Sequence, residues 1–197
     1  MLSHLRAAVV ATVAFIVLTF AYAFAGTGVA QAVFPHQANG SITANGSTLI
    51  GQNWTTTRWF HGRPDAFGPY AASKTQPGGD NPLVANGHSG SSGATNLGPR
   101  SKTLLADTKA LVAWWHAHGV NQTPDLVTTS GSGYDPDITP ADARAQIPMV
   151  SKATGISASR LDALIAKETN GMQLGFLGSP YIDVLKLNEA LAALERS

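Results

Sequence analysis

The stretch Ala7 to Ala25, AAVVATVAFIVLTFAYAFA, constrains this chain most, because it is uncharged and long enough to cross a bilayer. At about 1.5 Å of rise per residue, a helix over it covers nearly the roughly 30 Å hydrocarbon core. His4 and Arg6 precede it, and no charged side chain follows until Arg58. That asymmetry keeps residues 1–6 in the cytoplasm, places a membrane helix over residues 7–28 and sends residues 29–197 outward. Thr12 and Thr19 are tolerable because their hydroxyls can bond to carbonyls inside the helix, and Tyr22 suits the headgroup region. The competing reading is a secretory signal peptide, with small residues at Ala21, Ala23 and Ala25 as a cleavage site. The run is longer than the roughly 7 to 15 residues of a signal core, which favours retention.

The exported part has room for one domain with a real core. Only 13% of residues are Asp, Glu, Lys or Arg and the formal charge is +1. Neither a basic nucleic-acid footprint nor an acidic tail is present, so a nucleic-acid partner is not expected. So sparsely charged a chain, with 20 Gly and 11 Pro, is expected to cover part of its surface with a partner. No cysteine occurs, which excludes disulfides, thiolate metal sites and cysteine nucleophiles together.

Along the chain, Ala-Asn-Gly-Ser at Ala38 and again at Ala44 suggests tight turns or a hairpin. Trp59 to Asp65, WFHGRPD, reads as the edge of a loop. Residues 71–100 show no helical or strand period, only Gly, Ser, Pro and Asn, and are expected to form a contact surface. Ser101 opens an amphipathic helix with Leu104, Leu111 and Trp115 on one face, stopping at Gly119. Leu126 to Thr129 is β-prone. Thr139 caps a helix with Pro140 at its first position and Asp142 three residues on, and Pro148 is expected to kink or interrupt it. Ser157 caps another, and a last helix runs from about Ile182 to Glu195.

Catalytic chemistry finds little support. No G-x-S-x-G, S-x-x-K or H-E-x-x-H occurs. Gly93 to Gly98, GATNLG, has the two glycines of a phosphate loop but is followed by Pro99 and Arg100 where Lys and Ser or Thr are needed. Asp135, Asp137 and Thr139 alternate as in a calcium loop, yet Pro140 and Gln146 stand where Gly and Glu belong. Those carboxylates fit backbone-bonding roles better, and no metal site is expected. His61 reads as a surface or hydrogen-bonding histidine, and Trp114 and Trp115 as packing.

Taken as a set, HGRPDA (61–66), SGATNLGPRS (92–101), DLVTTSGSGYDPDITPADARAQ (125–146) and LGSPYIDVLKLNEAL (177–191) behind one apolar helix resemble the C subunit of the Kdp potassium-transporting P-type ATPase. Departures are local: Tyr134 and Asp137 stand where leucine and histidine are expected, and Ala94 and Thr95 where glycine and serine are common.

The resemblance implies a non-catalytic accessory subunit in a bacterial membrane. Its implied partners are a potassium-conducting channel-like subunit, a P-type ATPase subunit and membrane lipid. It also implies a catalytic chaperone that raises ATP binding by the ATPase subunit. ATP is thus implied only for the complex, no cofactor is assigned to this chain, and none of its residues is assigned to ATP. The competing class is an exported small-ligand binding protein released by signal cleavage.

The fold expected is mixed α/β, one transmembrane helix followed by an extracytoplasmic domain with three or four helices on a short sheet. The expected interface comprises His61, Gly62, Arg63 and Pro64; Asn96, Leu97, Gly98 and Pro99; and Ser130, Gly131, Ser132, Gly133, Asp135 and Pro136. Arg63 could bond to a partner carboxylate or to Asp65 beside it. Gly26 and Gly28, with Ala21, Ala23 and Ala25, offer a small-residue side for another helix.

Overall fold

The structure is a computed structural model describing residues 2–52, 54, 56–64 and 92–196. Asp65 and residues 71–91 of the expected contact loop lie outside the described residues. The chain divides into two compact units, Met1–Ile42 and Thr43–Ser197.

In the first unit, α1 spans Leu2–Val33, 32 residues with no side chain buried. It is longer at both ends than residues 7–28 and is apolar enough to cross a membrane. The Thr19 hydroxyl donates to the Phe15 carbonyl at 2.7 Å, which removes the cost of a bare hydroxyl in an apolar helix. A single turn, α2 (Pro35–Ala38), follows. The first Asn-Gly ends this turn: Asn39 donates to the Pro35 carbonyl at 2.6 Å and Gly40 takes φ +85°. It forms no hairpin, because the side chain of Asn39 caps the preceding carbonyl instead.

In the second unit, α3 (Lys102–Ala117), α4 (Pro140–Thr154), α5 (Ala158–Glu168) and α6 (Val184–Glu195) surround one apolar core. The caps read from sequence are formed. Ser101 accepts from the Leu104 N–H, Ser157 from that of Arg160, and Thr139 with Asp142 makes a full capping box. Helix α4 is continuous through Pro148, so of the expected kink or interruption the interruption does not occur. Proline removes only one hydrogen bond, and the buried Ala143, Gln146, Met149 and Val150 hold the turns on either side.

The sheet is minimal. Strand β1 (Asp137–Ile138) pairs antiparallel with β2 (Ile182–Asp183), Asp137 opposite Asp183 and Ile138 opposite Ile182. The last helix therefore starts at Val184, after a strand. Asp125–Val127 is a 3-10 turn, not a strand, because Leu126 and Val127 both turn into the core and the Leu126 carbonyl accepts the Trp115 indole N–H at 2.9 Å.

With so small a sheet, the helices pack around an irregular segment. Phe60 and His61 are buried at the centre of the domain, so the segment read as a loop edge is core. Its backbone polar groups are met by side chains: Asn188 bonds both the N–H and the C=O of Phe60 at 2.9 and 2.8 Å, and Gln146 bonds both groups of His61 at 2.8 and 3.0 Å.

Candidate functional site

From this buried segment the chain delivers Arg63 to the Thr128–Asp135 loop. The guanidinium donates to the Thr128 carbonyl and hydroxyl, both at 3.3 Å, and to the Thr129 carbonyl at 3.2 Å. Asp125 and Asp135 lie 3.6 and 3.8 Å from it. A planar fork with several donors can span such a set and an ammonium cannot. Arg63 is thereby bonded within the chain, to residues far along the sequence.

The same loop gathers two other segments. The Ser132 carbonyl accepts from the Ser92 hydroxyl and the Gly93 N–H, each at 2.8 Å, and the Tyr134 carbonyl accepts from Gly51 at 2.8 Å. A Cβ on Gly51 would lie 3.0 Å from the Asp135 carbonyl oxygen, so any larger residue would press the two backbones slightly apart. Within the loop, the Ser130 hydroxyl accepts from Gly133, which takes φ +71°, and the Ser132 hydroxyl accepts from Tyr134. The Asp135 carboxylate accepts from the Asp137 N–H at 3.1 Å, and the Pro136 carbonyl accepts from Val184 at 3.0 Å. The alternating Asp135, Asp137 and Thr139 thus do separate work, and among the described residues no cluster of three or more His, Asp or Glu could hold a metal ion.

The expected interface residues divide by exposure. His61, Pro64 and Gly133 are buried, so they reach a partner only by shaping the loops. Gly62, Arg63, Leu97, Ser130, Asp135 and Pro136 are half-buried, while Asn96, Gly98, Pro99, Gly131 and Ser132 are exposed. Residues 96–99 form the turn into α3: Asn96 takes φ +54° and donates to the Ala94 carbonyl, Leu97 packs against the core, and the Gly98 carbonyl accepts from Ser101.

Two ionisable groups here are displaced. Burial lowers the His61 pKa from 6.5 to about 4. Its Nε2 bonds to the Thr56 carbonyl at 3.2 Å, its Nδ1 has no hydrogen-bond partner among the described residues, and the ring meets the edges of Trp114 and Trp115. Burial also raises the Asp137 pKa to about 6, helped by the carboxylates of Asp135 and Asp183 and opposed by Lys186. Sequence reasoning missed Gln146, Asn188 and Asp183. For Asn188 a signal existed, since it falls four residues after Val184 on the apolar face of α6 and so had to find a buried partner.

A helix long and apolar enough to cross a membrane precedes a mainly helical domain whose loops are hydrogen-bonded to one another. The family model described as K+-transporting ATPase, c chain (KdpC) matches residues 4–193. Relatives named potassium-transporting ATPase KdpC subunit include those of Caulobacter vibrioides, 45% identical over 98% of this chain and 94% of the relative, and Methylobacterium nodulans, 45% identical over 98% of both chains. That of Allorhizobium ampelinum is 43% identical over 98% of this chain and 97% of the relative. The chain belongs to the KdpC family, as an accessory subunit of the Kdp potassium-transporting ATPase and not its catalytic chain.

Proposed function

We propose that this chain is retained by α1 with residues 1–6 in the cytoplasm, and that its domain, outside the cell's nucleotide pool, braces the potassium-conducting subunit. Family membership over nearly the whole chain carries the subunit reading, and the charge asymmetry around α1 supports the orientation. The exposed Asn96, Gly98, Pro99, Gly131 and Ser132 face the partner, while Arg63 and the buried His61, Pro64 and Gly133 keep those loops in shape.

Any rise in ATP binding by the catalytic subunit then passes through the assembled complex. The loop itself suits a triphosphate poorly: its cation, Arg63, is engaged by two carbonyls and two carboxylates, and Asp135 adds negative charge. Protease shaving of spheroplasts carrying a C-terminal tag tests the orientation. Loss of the tag from a full-length, membrane-bound chain is expected, and a protected tag would reverse the topology. Omitting the chain from cells making the other subunits is expected to lower both the recovery of complex and its affinity for ATP. Unchanged values would remove the supporting role.

A further inference from the structure

Among the described residues of the Thr43–Ser197 unit, eight large apolar side chains are exposed, and five of them, Met172, Leu174, Phe176, Leu177 and Tyr181, fall within ten residues. The stretch around them, Thr169 to Ile182, has no charged side chain. It is a folded hairpin. Asn170 and Tyr181 exchange both backbone bonds at 2.8 and 3.0 Å, and Gln173 and Leu177 exchange both at 2.9 Å. The turn passes through Leu174 at φ +53° and Gly175 at φ +81°.

An aliphatic residue in the left-handed region is disfavoured where glycine or asparagine fits at little cost. Leu174 is also 83% exposed, so its side chain recovers nothing by packing within the domain. Local strain and an unburied apolar side chain on one residue point to a surface outside the chain. At the base of the hairpin, Asn170 and Tyr181 line a cleft of about 310 Å³ with Leu49, Asp137, Asp183 and Lys186. Leu49, another of the eight exposed residues, extends the apolar patch, and two carboxylates face one ammonium.

We propose that this hairpin docks on a neighbouring subunit of the same ATPase, Leu174 and Phe176 entering an apolar socket while a basic side chain at its rim lies against Asp137 and Asp183. The inference rests on the subunit reading above and adds to it the docking element and the chemistry of its receptor. Hydrocarbon suits this surface less well than protein does, because the acidic cleft and the turn peptides need polar partners. The sequence alone points to the glycine-rich loops as the interface and assigns this stretch no contact, although residues 177–182 belong to a segment that carries the resemblance.

The test uses the whole complex, extracted in mild detergent from cells making all its subunits. The Leu174→Asn, Phe176→Ser double variant is expected to recover about tenfold less of the partner subunits. Its own melting temperature is expected to be unchanged or higher, since asparagine tolerates the turn. Leu105→Ser, at an exposed leucine on α3, is expected to behave as wild type. A photoreactive phenylalanine at position 176 is expected to form an adduct whose mass identifies an ATPase subunit. Full recovery with the double variant, or adducts to lipid alone, would overturn the docking and leave the subunit reading standing. A wild-type chain that brings down no ATPase subunit would remove both.

Discussion

Gln146 closes a ring of two hydrogen bonds with the backbone of His61, accepting from its N–H at 2.8 Å and donating to its carbonyl at 3.0 Å. A side-chain amide here replaces the neighbouring strand that a buried extended segment would otherwise require. Gln146→Leu keeps the volume and strips both partners, leaving a buried donor and acceptor unmet. A loss of about 2–4 kcal/mol in urea unfolding of the full chain in detergent is expected. Gln146→Glu keeps the acceptor but sets a buried, unpaired carboxylate against the His61 carbonyl, and near neutral pH is expected to cost at least as much as the leucine. A leucine variant as stable as wild type would mean that the segment finds other partners.

The starts of α3, α4 and α5 were legible because each of their caps is local. Ser101, Thr139 and Ser157 reach N–H groups three residues away, a distance that sequence displays directly. The burial of Phe60 and His61 was not legible, because the amides that permit it lie 128 and 85 residues further on. Arg63 shows the same limit. Aspartate at 65 was its visible neighbour, whereas its partners among the described residues are brought in by the fold. The grouping of 51, 63, 92–93 and 128–135 into one site likewise needed the tertiary structure, although each segment was already conspicuous for its glycines.

Arg63 predicts a difference between two cations. Arg63→Lys keeps the charge but cannot span the Thr128 and Thr129 carbonyls, so it is expected to behave much like Arg63→Ala. Both are expected to lose roughly 1–3 kcal/mol and to speed amide hydrogen exchange across residues 128–135. Exchange in the lysine variant as slow as in wild type would show that charge alone holds the loop.

Asp142 is buried, accepts the Thr139 N–H at 2.8 Å and also receives the Thr123 hydroxyl. It thus ties the start of α4 to the segment leaving α3. Asp142→Ala removes the reciprocal half of the capping box and leaves that hydroxyl unmet, with an expected cost of about 2 kcal/mol by thermal melting. Asp142→Asn retains an acceptor oxygen and is expected to recover part of the loss.

His61 and Asp137 make opposite contributions to stability between about pH 4 and pH 6. Stability rises with pH wherever the unfolded chain binds more protons than the folded one. His61, lowered from 6.5 to about 4, is neutral when folded while the unfolded imidazole is still protonated. Its contribution is therefore present above the unfolded pKa and lost as pH falls. Asp137, raised from 3.8 to about 6, stays protonated when folded after the unfolded carboxyl has ionised, so its contribution is lost as pH rises through the same window. In the wild type the two slopes offset one another. Asp137→Asn removes the falling one, and the melting temperature of that variant is expected to climb more steeply from pH 4 to 6. His61→Phe removes the rising one, and its melting temperature is expected to fall over that range. Parallel profiles for all three proteins would mean that neither group titrates as its surroundings dictate.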